Sequence, residues 1–158
     1  MAISASVSSD LMEDPRTENA RLEAEGWAAF EDALSRVPDD RLTAPGVLEG
    51  WTVKEMLHHV TGWIRECTGY LDRMRDGTFV DPDDTDEWVN ARNAAFAGEA
   101  RSLDVAAVRS ERDTEREVIR RRWQAPPEID DVAVEWFAGE TYEHYEEHLP
   151  DLWSASGA

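Results

Sequence analysis

The sequence predicts an all-α protein built as a four-helix bundle, and three observations carry that expectation. Four stretches repeat their apolar residues at three- and four-residue steps, the period of one helix face. Thr52-Val-Lys-Glu55 has the form of a capping box, a local signature of a helix start. Strand-like alternation of any length is missing, as are internal repeats and a glycine-rich phosphate loop. Amphipathic helices joined by loops of moderate length bury their apolar faces against one another.

The elements follow in order. Residues 1–13 are rich in Ser and Ala and aperiodic, so a disordered tail is expected there, ahead of a single domain over 14–155. The first helix should begin near Pro15; Leu22, Gly26, Ala29, Phe30, Ala33, Leu34 and Val37 make its stripe, and Pro38 ends it. Pro45-Gly46 marks a turn. In the second helix the Thr52 hydroxyl should accept from the Glu55 amide while the Glu55 carboxylate reaches back, and Gly77 supplies the stop. Its stripe runs from Val53 through Met56, Val60, Trp63, Ile64, Cys67 and Tyr70 to Met74. The acidic loop that follows lacks EF-hand spacing and reads as solvated.

A short extra helix, Glu87 to about Ala97 with Trp88, Val89 and Phe96, is expected next, interrupted by Gly98. Ser102 then reads as the N-cap of a long helix through Trp123, with Leu103, Ala107, Thr114, Val118 and Ile119 inward. Its many arginines read as charge compensation in a very acidic chain. After Ala125-Pro-Pro127 the last helix should run from Asp130 or Asp131 to about Leu149.

Composition limits the function classes. With 158 residues the chain is one domain's worth, and 16 basic against 35 acidic residues leave a net charge of −19. Such a field repels nucleic acid and anionic membrane, so neither is an expected partner. A single cysteine excludes an internal disulfide, and neither a signal sequence nor a membrane span is evident, which leads to an expected cytoplasmic location. The expected partner is a small molecule, with a homodimer as the admitted assembly.

The chemistry concentrates in Trp136-Phe-Ala-Gly-Glu-Thr-Tyr-Glu-His-Tyr-Glu-Glu-His148. On a wheel of about 100° per residue, Thr141, His144 and His148 fall within about 40° of Phe137, while Glu143 and Glu146 point away. Histidines at i and i+4 can share one metal ion with a ligand from elsewhere. Two adjacent residues compete for that third place. His59 lies about 80° from the centre of the second helix's stripe, beside Trp63 and Tyr70, and can reach the interior; His58 lies about 180° away and should face solvent without a task. A pair of satisfied core histidines is the plain alternative. Glu140, one turn before His144, is a candidate proton-transfer carboxylate set against a solvated acidic face. Cys67 reads as a buried small hydrophobe, and Trp27, Trp63, Trp88 and Trp136 as core, with Trp63 and Tyr70 able to wall a pocket.

Gly50-Trp-Thr-Val-Lys-Glu-Met-Leu-His-His59-Val-Thr-Gly-Trp63 and His144-Tyr-Glu-Glu-His148 together resemble the motifs of the DinB-like superfamily, in which a histidine eight residues after the leading tryptophan is a ligand. The resemblance spans about residues 15–153, although the middle third matches only in helix pattern and in Asn90. It implies an up-down-down-up bundle with a three-histidine divalent-metal site at His59, His144 and His148, zinc or nickel being expected, and a pocket that includes Trp63, Tyr70, Asn90 and Thr141. Relatives include bacillithiol- or mycothiol-dependent S-transferases, mycothiol-dependent maleylpyruvate isomerases and the ClbS/DfsB self-resistance proteins. The spacing around residues 50–80 resembles the last of these, whereas His148, commonly lacking in that branch, favours the metal-bearing majority. The implied function is activation of water or a low-molecular-weight thiol, mycothiol or bacillithiol, for attack on a small electrophile by S-transfer, hydrolysis or isomerisation. The competing class is a non-catalytic protein that sequesters a small molecule or holds a structural metal.

Overall fold

The computed structural model describes residues 13–157, and every regular element in them is helical. The expected tail lies outside the described residues except for Glu13, which pairs with Arg21 at 3.4 Å. Helix α1 spans Pro15–Ser35, with Asp14 accepting from the Arg16 amide at 3.1 Å. A 3₁₀ turn at Asp39–Arg41 leads to α2, Val53–Asp76. The capping box is formed as expected: the Glu55 amide donates to Thr52 Oγ1 at 3.1 Å and the Thr52 amide to Glu55 Oε2 at 2.7 Å. Gly77 closes α2 with φ of 74°, in the left-handed region that its missing Cβ permits.

Helix α3 spans Asp86–Arg101 and is longer than the sequence suggests. Gly98 does not interrupt it; the residue is exposed, and a helical glycine costs only about 1 kcal/mol relative to alanine. Ser102 caps the end of α3, and Asp104, whose Oδ1 accepts from the Ala107 amide at 2.8 Å, starts α4, Val105–Gln124. The inward face of α4 is Val108, Arg112, Ile119 and Trp123; Thr114, expected inside, is exposed. The last helix is two: α5, Asp131–Glu140, and α6, Tyr142–Ala155, divided at Thr141 with φ −116° and ψ −102°. Thr141 is fully buried and satisfies its hydroxyl by donating to Phe137 O at 2.6 Å. α6 also continues past the expected stop. Pro150 is exposed, and the carbonyl that loses its helical partner belongs to exposed Glu146.

α2 is the central helix. It packs on α4, α3 and α5, while α1 packs on α6. Hence α2 is buried on nearly every side, with Leu57, Ile64 and Cys67 fully enclosed beside Phe30, Leu34, Ile119 and Leu152. Each large apolar side chain removed from water contributes about 1.5–3 kcal/mol before the entropy of ordering it. Gly62 lets α3 come close: a Cβ there would stand 2.5 Å from the Phe96 ring. The arginines of α4 do compensate charge, in part within the core. Arg116 grips fully buried Glu23 with two bonds of 2.8 and 3.1 Å, Tyr145 adds a third at 3.2 Å, and Arg122 holds Asp72 at 2.7 Å. No described helix is long and apolar enough to cross a membrane.

Candidate metal centre

His59 on α2 and His144 and His148 on α6 meet where those helices pack. His59 Nε2 lies 3.0 Å from His144 Nε2, which lies 3.1 Å from His148 Nε2. Among the described residues this is the group whose ligand atoms converge, all within 4.8 Å of one another. Each of the three side chains is at least nine-tenths buried. The wheel argument for the α6 pair holds because Tyr142–Ala155 is a regular helix on which residues four apart share a face.

The contacts do not balance as a hydrogen-bonded cluster. A neutral imidazole carries one N–H, and a ring nitrogen offers a single in-plane position, either proton or lone pair. His144 Nε2 faces two other Nε2 atoms, so at most one of those contacts can be a hydrogen bond and the other sets lone pair against lone pair. Extra protons are not a remedy. Burial, reinforced by the neighbouring His148 ring, pushes His59 down to about 4, and burial with both neighbouring rings pushes His144 well below its ordinary value. With the proton of each ring on Nδ1, the three Nε2 atoms would present three lone pairs in a buried place, which a divalent cation would satisfy. Nitrogens bound at about 2.0–2.1 Å in octahedral or tetrahedral arrangement stand about 2.8–3.4 Å apart, in accord with the His59–His144 and His144–His148 spacings.

The surroundings orient the rings. His148 Nδ1 lies 2.8 Å from Asp151 Oδ2, which fixes Nδ1 as the protonated nitrogen and leaves Nε2 free to ligate. His144 Nδ1 lies 3.8 Å from Glu140 Oε2, and neither it nor His59 Nδ1 has a hydrogen-bond partner. Trp51 covers the cluster, its ring 4.9 Å from that of His59 and 5.7 Å from that of His148. On the side away from His148, a pocket of about 230 Å³ opens over His59 and His144, walled by Trp63, Trp88, Trp136 and Asn93, with Glu140, Asp84 and Glu147 as its carboxylates. The expectation of a solvated Glu140 is overturned: burial, with the charge of Glu147 behind it, pushes this carboxyl up to about 8.

Other residues fall differently from expectation. His58 is fully buried, not solvent-facing: its Nε2 lies 2.9 Å from Glu99 Oε2 and its Nδ1 3.7 Å from Glu111. The wheel misplaces it because α2 has no wet face at that level, α3 and α4 covering the side opposite the stripe. Trp63 lines the pocket, whereas Tyr70 packs behind Trp136 with ring centroids 4.7 Å apart and is not a wall. Thr141 is buried under the helix break rather than in the pocket. Asn90 is exposed, and the asparagine that reaches the site is Asn93, whose Oδ1 accepts from Trp63 Nε1 at 2.8 Å. Sequence reasoning missed Asn93, Trp51 and Asp151. Only the last two had a local signal, a tryptophan beside the capping box and a carboxylate three residues after a histidine.

Known proteins bear on this arrangement. A family model described as the mycothiol maleylpyruvate isomerase N-terminal domain matches residues 24–144, a stretch that contains His59 and His144 and ends before His148. No curated protein matches the chain. Among solved structures, the crystal structure of the mycothiol-dependent maleylpyruvate isomerase superposes with a TM-score of 0.68 at 18% identity, over 89% of this chain and 63% of that one. At such identity the likeness concerns the fold, and the chain spans less than two thirds of that relative's length. Of the branches suggested by the motifs, the match falls on the isomerase side rather than on ClbS/DfsB.

Proposed function

Because the chain belongs to the mycothiol maleylpyruvate isomerase N-terminal domain family, within the DinB-like superfamily, we propose that it is a thiol-using enzyme whose His59, His144 and His148 hold one divalent metal ion. Zinc or nickel suits an all-imidazole set. The observation that carries the reading is the convergence of three Nε2 atoms at 3.0 and 3.1 Å with more lone pairs than protons to satisfy them. A divalent ion held by neutral ligands supplies undiminished positive charge, which makes a thiol or water at an open position ionise near neutral pH.

The chain's own residues prepare that chemistry. Asp151 holds the His148 Nδ1 proton and so presents its Nε2. Trp51 shields one side of the cluster, and the pocket walled by Trp63, Trp88 and Trp136 gives a small molecule access to the other. Glu140 places a carboxyl within the pocket beside His144, where its Oε2 can take or return a proton during attack on a small electrophile. Mycothiol is the co-substrate named by the family, with bacillithiol the other candidate thiol. S-transfer or isomerisation follows from thiol attack, and hydrolysis from water. A reducing, cytoplasmic setting accords with a lone buried Cys67.

The test is consumption of epoxide and haloaromatic electrophiles by metal-loaded protein, with and without mycothiol or bacillithiol. Thiol-dependent consumption that falls at least about a hundredfold in His144→Ala is expected. Equal rates for the two proteins with every nucleophile would contradict the proposal and favour a sequestering role.

A further inference from the structure

One amide lines the pocket over His59 and His144, and its partner settles which way it faces. Asn93 Oδ1 lies 2.8 Å from Trp63 Nε1. An indole nitrogen can only donate, so the amide atom facing it must be the oxygen, and the NH2 of Asn93 is turned away from Trp63. Two donor hydrogens are left over. Burial lowers the His59 imidazole and Asn93 acts against it, which places the amide beside that ring. Yet His59 Nδ1 has no hydrogen-bond partner, so the amide is not spent there, and among the described residues no other group accepts from it. Asn93 is only partly buried, so its NH2 is available to a molecule in the pocket.

The rest of the lining narrows what that molecule is. Trp63 and Trp88 meet at 62° with centroids 5.7 Å apart and, with Trp136, offer apolar walls to a flat group. No lysine or arginine among the described residues lines the pocket, so the amide has no stronger donor to compete with. His144 is the second unpartnered donor: with its Nε2 on a metal ion, Nδ1 carries the hydrogen, and that nitrogen has no hydrogen-bond partner. An anion would face Asp84 and Glu147 at the edge, and a cation would face the ion of the proposed site. A neutral acceptor meets neither repulsion.

We infer that Asn93 is the specificity-determining residue of this pocket: its amide N–H binds a neutral, carbonyl-type oxygen of the electrophile, and Trp63 is the positioning residue that holds the amide in that sense. The inference rests on the proposed function for what the bound molecule undergoes. In that reaction the open position at the histidines belongs to the thiol or water, which leaves the electrophile's own oxygen to the lining. A carboxamide held by its oxygen presents N–H groups only, so an acceptor is favoured over a donor at the same place.

Fluorine NMR titration of zinc-loaded protein with 4-fluoroacetophenone and with 1-ethyl-4-fluorobenzene tests this, since the two differ in shape by little more than the carbonyl oxygen. Asn93→Asp keeps the acceptor for Trp63 Nε1 and replaces only the NH2. The ketone-over-hydrocarbon affinity ratio is expected to fall at least about fivefold in Asn93→Asp and at least about threefold in Asn93→Ala. Trp63→Phe, which keeps a wall but frees the amide to turn, should lower it at least about twofold. The inference is overturned by a ratio that Asn93→Asp leaves unchanged while the helical circular dichroism is intact, or by no saturation of the wild type with the ketone up to about 10 mM. Elemental analysis of the same samples separates the two claims. Wild-type protein that holds no zinc, with a ratio that still depends on Asn93, supports this inference and contradicts the metal reading. A ratio that survives Asn93→Asp but falls in His59→Ala along with its zinc does the opposite.

Discussion

Asp151 stands one turn beyond His148 on α6, with its Oδ2 2.8 Å from His148 Nδ1. The contact fixes which nitrogen of the ring carries the proton and aims the other at His144. Carboxylates in this position raise the basicity of the histidine they hold, and their loss costs about 10–100-fold in metal affinity. Asp151→Ala is therefore expected to weaken zinc binding by that factor in chelator competition while leaving the helical circular dichroism unchanged. Affinity within about twofold of wild type would show that the tautomer is set by something else.

Gly62 lets α3 come close to α2, and α3 carries Trp88 and Asn93 to the pocket. An alanine Cβ would meet three atoms of the Phe96 ring at 2.5 to 2.7 Å. Relief requires α3 to move, since Phe96 is itself buried. Gly62→Ala is expected to cost about 1–3 kcal/mol in urea unfolding, a typical overpacking penalty. Gly98→Ala, on the exposed side of α3 with nothing within 4 Å, should instead stabilise by up to about 1 kcal/mol. Equal effects of the two substitutions would show the α2–α3 contact to be looser than described.

Alkaline pH should weaken the fold. Burial, with the charge of Glu140 behind it, holds the Cys67 thiol well above its ordinary range, and burial together with Glu23 does the same for the Tyr145 phenol. Both groups are protonated when folded. The unfolded chain ionises them near about 8.5 and 10, so their contribution is intact below those values and declines as pH rises past them. The urea midpoint should fall between about pH 8 and 10.5, and Cys67→Ala should remove the earlier part of the fall. A thiol reagent should label Cys67 only after unfolding. A flat midpoint, or prompt labelling of folded protein, would contradict the burial described.

What was legible in the sequence follows from how local the determining physics is. The capping box at Thr52 and Glu55 involves neighbours only, and both bonds form. His144 and His148 converge because four-residue spacing on a helix puts side chains on one face whatever the surroundings. His58 shows where this stops. A wheel assumes one wet side, and α2 as the central helix has none beside Glu99 and Glu111. Asn93 and the break at Thr141 depend on how α3 and α5 meet α2, which no local pattern encodes. Asp151 lay beyond the expected helix end at about Leu149, whereas α6 runs on to Ala155 with Pro150 tolerated on its solvent side.

In the proposed metal site it is His59, and not its neighbour His58, that joins His144 and His148. Elemental analysis of untagged protein from metal-supplemented medium tests it most directly. About one divalent ion per chain is predicted for the wild type and for His58→Gln, with less than about a tenth of that for His59→Ala. Wild-type protein without metal, or equal retention by the two variants, would contradict it.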